Sequence, residues 1–204
     1  MTNPYQVTKD FESAIAEYTE APYVVCVNSG TAALQLSLMW CDKHDIPRPL
    51  TGISIPKRTY VSVPNAIKLA GCFATWRDEE WAGGYQLKPF PIWDYALRFT
   101  SGMYRSGQYM MVSFAAAKIL GIEQGGAILH DNAEADAWFR RMRFDGRTAG
   151  VDPENDHFDL VGLHCIMLPS ISAQGLLRLH HLPKHNPDKV QTYPDLSRFE
   201  DTWR

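Results

Sequence analysis

The stretch "YVVCVNSGTAALQLSLMW" (residues 23–40) passes from one hydrophobic pattern to another within a few residues. Its first five residues are β-branched, aromatic or otherwise apolar, which favours a buried strand. The run "NSG" that follows is typical of a turn and a helix cap, and the residues after it favour a helix. We therefore predict a strand that enters at Tyr23, followed by a long helix.

The same alternation extends in both directions along the chain. Residues 8–20 have the spacing of an amphipathic helix, and "ISIPKRTYVSVPNAIKLAG" (residues 53–71) predicts a strand, a loop and a helix closed by Gly71. A further helix is expected over residues 132–146, with Asn132 or Asp131 as its cap. Further strands are predicted in "CFATWRD" (72–78), "FPIWDYA" (90–96), "QYMMVSFA" (108–115) and "GGAILHD" (125–131). This order predicts an α/β fold, a mostly parallel sheet with helices against its faces.

The composition favours one globular domain and gives no overall electrostatic reason to expect nucleic-acid or membrane binding, although a local charged patch could exist. The 204 residues are 45% hydrophobic, and the formal net charge of -3 gives no overall attraction for nucleic acid or an anionic membrane. The first residues lack the apolar segment of a signal peptide, and no run approaches the roughly 18 apolar residues of a spanning helix. We expect a cytoplasmic protein without membrane contact.

The cysteines and histidines do not predict a metal site. The four cysteines have no C-x-x-C spacing, which favours reduced thiols over a disulfide framework or a zinc site. In "RLHHLPKH" (residues 178–185) the three histidines could conceivably converge on a metal, but a solvated helix end is the simpler interpretation.

Two predicted strand ends carry candidate chemistry. In "VNSGTAAL" (residues 27–34), the first amides of the helix, the hydroxyls of Ser29 and Thr31 and the unhindered backbone of Gly30 could hold a phosphate. The alternative is an ordinary N-cap. Asp94 ends an apolar strand, where ligand sites of open α/β sheets gather, and could either cap a helix or pair with a ring nitrogen.

Lys118 lies in the apolar run "SFAAAKILG" (residues 113–121). Its alkyl stem could simply lie along apolar surface with the ammonium group in water. Alternatively, a desolvated lysine can act as a neutral amine, attack a carbonyl group and form a Schiff base.

Several blocks together resemble one known family. From about Phe11 to Leu182 the chain is similar to the DegT/DnrJ/EryC1/StrS family of pyridoxal-phosphate enzymes, best known as nucleotide-sugar aminotransferases. The blocks are "NSGTAALQLSL", "SIPKRTYVSVPNAIKLAG", "WDYA", "SFAAAKILGIEQGGAILHDN" and "RRMRFDG". The resemblance implies a three-layer α/β/α domain of fold type I in a shortened form, with pyridoxal 5'-phosphate as cofactor. A phosphate cradle, a carboxylate and a lysine follow one another in the order that this cofactor needs.

The resemblance also assigns roles to individual residues. Lys118 becomes the Schiff-base lysine, and Asp94 the carboxylate that keeps the pyridine nitrogen protonated. Tyr60 falls where the family places an aromatic ring on the cofactor, with plain core packing as the alternative. His164 takes the place of an asparagine that reaches the neighbouring subunit's cofactor phosphate, so the resemblance implies a homodimer with shared active sites. The phosphate cradle consists of Ser29, Gly30, Thr31 and Ser113.

The chain also departs from the family pattern. Leu97 stands where the family has a glutamine, and Ile166 replaces a basic residue. Between Asp78 and Asp94 the family has an added strand, helix and strand, for which only a short crossing segment is expected here. We expect no counterpart of the relatives' C-terminal domain in this sequence. We therefore expect a cofactor-binding domain over residues 1–182 and a tail, residues 183–204, that packs on the surface or on a partner subunit.

Three functions remain open from the sequence. The first is an aminotransferase that takes an amino group from a small-molecule donor to a keto sugar or similar carbonyl substrate. The second is another pyridoxal-phosphate reaction on an amino-acid-like or nucleotide-linked substrate. The third is a cofactor-binding relative without catalysis. The dehydratase branch of the family lacks the lysine, so Lys118 counts against that branch.

Overall fold

Strands and helices alternate along the chain in the computed structural model, which describes residues 5–44 and 51–204. The α-helices are α1 Gln6–Thr19, α2 Gly30–Lys43, α3 Ser62–Leu69, α4 Ala133–Met142 and α5 Pro169–His180. The strands are β1 Tyr23–Val27, β2 Ile53–Pro56, β3 Ala74–Arg77, β4 Tyr85–Leu87, β5 Ile92–Asp94, β6 Tyr109–Ser113 and β7 Gly126–His130. Short 3-10 helices cover Pro153–Asn155 and Leu196–Trp203.

The helix ends follow from local chemistry. Ser29 caps α2 by accepting a hydrogen bond from the Ala32 amide, and Asn132, rather than Asp131, caps α4 by accepting from the amides of Glu134 and Ala135. Gly71 follows α3 with a φ of +76°, a left-handed conformation that glycine adopts without strain. The predicted helices and strands are therefore confirmed, within a few residues at their ends.

Most strands run in one direction although few neighbours are parallel. The main sheet has the order β1-β7-β6-β5-β4, and of its pairs only β5 with β6 is parallel. The parallel pair β2-β3 continues it, because Ser54 and Lys88 exchange both backbone hydrogen bonds at 2.9 and 3.1 Å. Following these pairings, only β4 and β7 oppose the other strands. The prediction of an α/β fold with a mostly parallel sheet is therefore confirmed in the sense that most strands run in the same direction. The sheet itself is mixed, because β4 and β7 run the opposite way.

β4 was not predicted and explains how the chain crosses between Asp78 and Asp94. Tyr85 and Leu87 are buried and Gln86 lies between them, which is the alternation of a strand. Because β4 is antiparallel to β5, a tight connection joins the two, whereas a parallel neighbour would need a long crossover. One reversed strand therefore fills the space between β5 and β2.

Helices cover both faces of the sheet. Val25 and Val27 of β1 belong to a core shared with α2, α3 and α4, whereas Val24 and Cys26 face a second core built with α1 and α5. Buried Glu12 links α1 to β1 and to the end of α4, since it accepts hydrogen bonds from the Cys26 amide and from Arg140 and Arg143. The predicted three-layer α/β/α arrangement is confirmed.

The last part of the chain folds back over this domain. The Lys189 amide donates to the Leu97 carbonyl at 3.0 Å, and the Leu196 amide donates to the Lys57 carbonyl at 2.8 Å. Trp203 is buried, and its indole N–H donates to Asn65 at 2.7 Å. Residues 189–204 therefore pack on their own chain.

Two features of the described residues bear on functional class. Among them no helix is long and apolar enough to cross a membrane, and no group of three or more His, Cys, Asp or Glu side chains could hold a metal ion. No disulfide joins any of the four cysteines, all of which lie within the described residues.

Candidate active site

A pocket of about 580 Å³ opens at the carboxyl ends of β1, β5 and β6. Strands that run in the same direction end at the same edge of a sheet, so residues that are far apart in sequence meet there. Seven of the predicted site residues line the pocket: Ser29, Gly30, Thr31, Tyr60, Asp94, Ser113 and Lys118.

The start of α2 forms one wall of the pocket. The first amides of a helix have no acceptor within that helix, and they carry the positive end of its dipole. A Cβ atom on Gly30 would lie 3.0 Å from the Ser113 Cβ and 3.3 Å from its hydroxyl. The absence of a side chain at Gly30 therefore lets the Ser113 hydroxyl lie next to the start of the helix. Ser29 also acts as the N-cap of this helix, since its hydroxyl oxygen accepts a hydrogen bond from the Ala32 amide at 3.1 Å.

Asp94 presents a buried carboxyl group at the opposite side. Only 3% of the residue is exposed, one carboxyl oxygen accepts from the Ala96 amide at 2.8 Å, and the other accepts from the Tyr85 hydroxyl at 3.0 Å. Burial raises the pKa of Asp94 despite the opposing effects of these two hydrogen bonds and of the Lys118 charge. Asp94 does cap a turn, through its hydrogen bond with the Ala96 amide. Capping a turn, however, does not require the carboxyl group to be buried.

Tyr85 is a site residue that the sequence did not predict. Burial and the neighbouring Asp94 charge raise the pKa of its phenol, so the hydroxyl stays protonated and can donate to Asp94. The same hydroxyl forms a short hydrogen bond with Thr59. Tyr85 could not be identified from the sequence because β4, the strand that carries it, is too short to be predicted.

Lys118 lies in the loop between β6 and β7. Backbone hydrogen bonds from Phe114 to Gly125 and from Ile122 to Phe114 close the base of this loop. The side chain is half-buried, and Nζ donates a hydrogen bond to the Tyr193 hydroxyl at 3.1 Å. Lys118 therefore faces the pocket, which is not the arrangement of a lysine that only covers apolar surface.

The tail completes the pocket, which the sequence did not indicate. Lys189, Val190, Thr192 and Tyr193 all line it. Their polar, proline-rich surroundings predict a segment that lies on the surface or on a partner subunit, because composition does not reveal where such a segment returns. Leu97 also lines the pocket, so an apolar side chain takes the place of the family's glutamine.

Tyr60 and His164 have different surroundings. Tyr60 is 54% exposed and its ring lies 5.8 Å from that of Tyr193, so the core-packing alternative is wrong. His164 lies outside the pocket, with its side chain 70% exposed and its Nδ1 2.8 Å from Asp145. The segment that carries it nevertheless pairs with the end of β1, since the Asn28 amide donates to the Cys165 carbonyl at 2.9 Å.

This geometry agrees with comparisons to known proteins. Residues 1–80 match the DegT/DnrJ/EryC1/StrS aminotransferase family. The resemblance drawn from the sequence is thereby confirmed for that part of the chain. A search of curated proteins gave no match.

Solved structures share the fold over most of this chain. AtS13 from Actinomadura melliaura has a TM-score of 0.74 at 22% identity, and the similarity covers 85% of this chain and 59% of that one. The sugar aminotransferase CalS13 from Micromonospora echinospora has a TM-score of 0.67 at 19% identity, with 86% and 61% covered. NtdA from Bacillus subtilis, solved with bound cofactor PMP, has a TM-score of 0.65 at 17% identity, with 86% and 48% covered.

These likenesses show the fold type I architecture of aminotransferases, as predicted. The chain spans about 60% of the length of the first two structures.

The buried Asp94 gives a stability test of the site. Its folded-state pKa lies above the ordinary value of 3.8, so ionised Asp94 opposes folding at neutral pH. We expect Asp94→Asn, in protein stripped of small ligands, to be as stable as wild type or more stable, by up to about 1 kcal/mol in urea unfolding at pH 7. The difference should vanish below the ordinary pKa, where both side chains are neutral.

Asp131 provides the matched control. Hydrogen bonds from the Ser106 hydroxyl and the Gly107 amide lower the pKa of Asp131, so Asp131→Asn should lose stability at pH 7. A loss of stability in Asp94→Asn as well would show that Asp94 serves the fold rather than a ligand.

Proposed function

We propose that this chain is a pyridoxal-phosphate-dependent aminotransferase of the DegT/DnrJ/EryC1/StrS type. One observation carries the proposal: a lysine, a buried carboxyl group and a helix start with a neighbouring hydroxyl line a single pocket. This set matches the three chemical features of the cofactor, an aldehyde, a ring nitrogen and a phosphate.

The residues present fit the cofactor. The pocket volume of about 580 Å³ is within the range of small-molecule sites. The close approach of Gly30 to Ser113 leaves hydroxyl and amide donors beside the start of α2, which suits a phosphate. Ser29, Gly30, Thr31 and Ser113 would hold that phosphate, and Tyr60 would lie against the ring.

Pyridoxal phosphate, when bound, supplies an aldehyde for covalent attachment and a protonated ring that accepts electrons as a substrate carbon loses a proton. Lys118 would bind the cofactor covalently through its Nζ and would carry a proton at that atom. Asp94 would hold the ring-nitrogen proton. Its buried position keeps that charge pair away from water, which strengthens the interaction.

The substrate class is proposed from the relatives. CalS13 is named as a sugar aminotransferase, which supports a keto sugar or similar carbonyl compound as the amino acceptor here, together with a small-molecule amino donor. Cytoplasmic localisation is part of the proposal, because four cysteines without a disulfide suit a reducing compartment.

A homodimer with shared active sites is the proposed assembly. Phe158, Val161 and Leu168, which flank His164 in the sequence, are exposed at 71%, 91% and 51%. Burial of exposed apolar side chains against another protein surface is favourable. A symmetric partner would cover these side chains and bring His164 towards the neighbouring pocket.

Covalent attachment tests the function directly. After incubation with pyridoxal phosphate and reduction with borohydride, the pyridoxyl group should map to the peptide that contains Lys118. Lys118→Ala should abolish this adduct, because no other residue is proposed to attach the cofactor. Peptide mass spectrometry gives the position.

Lys189 is the internal control for this mapping. It lines the same pocket, but its Nζ donates a hydrogen bond to the Ala117 carbonyl. An adduct at Lys189, or one that survives Lys118→Ala at full yield, would contradict the assignment.

The dimer has its own test. If His164 contacts the neighbouring subunit's phosphate, His164→Ala should weaken cofactor retention at every site of a pure variant. Mixing it with Lys118→Ala should restore retention on the His164→Ala chains, because the partner then supplies an intact His164. The measurement is the yield of pyridoxyl-Lys118 before and after mixing. A monomer on sedimentation, or no recovery despite proven subunit exchange, would exclude shared sites.

A further inference from the structure

The C-terminal strap, residues 189–195, runs along the pocket. Backbone hydrogen bonds fix its first residue, since the Lys189 amide donates to Leu97 and the Lys189 carbonyl accepts from Gly83, both at 3.0 Å. At its other end Asp195 lies 3.5 Å from the Lys57 ammonium. Between these anchors the strap presents Val190, Thr192 and Tyr193 to the pocket.

The strap also holds the loop that carries Lys118. The Lys189 Nζ donates a hydrogen bond to the Ala117 carbonyl at 2.7 Å, one residue before Lys118. The Tyr193 hydroxyl accepts from the Lys118 Nζ at 3.1 Å. The strap therefore contacts both the backbone and the amine of the loop.

The ring of Tyr193 is held independently of its hydroxyl. Its backbone N–H donates to the Gln191 side chain at 3.0 Å, and its ring stacks on Trp81 at a centroid distance of 6.2 Å. Trp81 is itself buried and donates its indole N–H to the Arg58 carbonyl at 2.8 Å. Removal of the hydroxyl alone should leave the ring in place.

The amine of Lys118 depends on this hydroxyl for its direction. Within residues 5–44 and 51–204, Tyr193 provides the one hydrogen-bond acceptor for Nζ. A lysine side chain has several rotatable bonds, and ordering it costs conformational entropy. A fixed acceptor at the pocket wall lowers that cost at the moment of reaction.

We propose that Tyr193 is a positioning residue for Lys118, which holds Nζ towards a carbonyl compound bound in the pocket. This inference rests on the proposed function, since pyridoxal phosphate is the carbonyl compound concerned. The phenol oxygen accepts from Nζ through a lone pair, and its own proton stays on the oxygen. The strap would thus bring to the site a tyrosine, Tyr193, that lies outside the part of the sequence that resembles the family.

The test compares two reactions of the same amine in wild type and Tyr193→Phe. The full chain is first freed of bound cofactor with hydroxylamine. The first reaction is attachment of pyridoxal phosphate at Lys118, trapped with cyanoborohydride and followed by peptide mass. The second is reductive methylation of Lys118 with formaldehyde, a small reagent that needs no pocket and no particular amine direction.

We expect Tyr193→Phe to slow attachment of pyridoxal phosphate about tenfold, the effect of one hydrogen bond to a charged group. Methylation should not be slowed. A variant in which attachment is as fast as in wild type would overturn the proposal, and so would equal slowing of both reactions, which would indicate a general loss of access.

Tyr18→Phe is the matched control. Its hydroxyl donates to the Pro183 carbonyl at 2.6 Å and accepts from Asn186 at 2.8 Å, so it anchors the segment before the strap without touching Lys118. It should attach pyridoxal phosphate at the wild-type rate. A similar slowing in Tyr18→Phe would show that strap order, not the Tyr193 hydroxyl, matters. If wild type itself attaches none at Lys118, the proposed function fails, and the role of Tyr193 towards this cofactor fails with it.

Discussion

The shared direction of β1, β5 and β6 is the constraint on which the candidate site depends. Because these strands end at one edge, the start of α2, the Asp94 carboxyl and the Lys118 loop open on the same pocket although they are far apart in sequence. β7 runs the opposite way, so its beginning returns the loop after Lys118 to this edge. A change in the direction of β5 or β6 would place Asp94 or Ser113 at the other end of the sheet.

Two segments of this chain, β4 and the strap, contribute to the sheet edge at which the pocket lies. β4 fills the gap between β5 and β2 in reversed direction, and it carries Tyr85, whose hydroxyl donates to Asp94. The strap covers the side of the pocket at which Tyr60 and Lys118 lie, and Tyr193 contacts Lys118. Both segments lie where the chain departs from the pattern of the family. Both segments therefore contribute residues to the candidate site.

The sequence predicted the parts of the site that depend on strand ends and helix starts. The α/β alternation places Gly30, Asp94 and Lys118 at or just after predicted strand ends, and the resemblance to the family assigned their roles. Tyr85 and Tyr193 could not be predicted in this way. A three-residue strand has too few residues for a clear alternation, and the return of a polar, proline-rich tail depends on tertiary contacts such as those of Lys189.

The central proposal is that this chain binds pyridoxal phosphate and accepts an amino group from a donor. The most direct measurement is a titration of wild-type protein with pyridoxal phosphate, followed by addition of glutamate without any amino acceptor. We predict saturable binding of about one cofactor per chain, a visible absorbance band that glutamate abolishes, and release of about one 2-oxoglutarate per bound cofactor. Absence of saturable binding would contradict the cofactor site, and a band that no amino donor changes would contradict amino transfer.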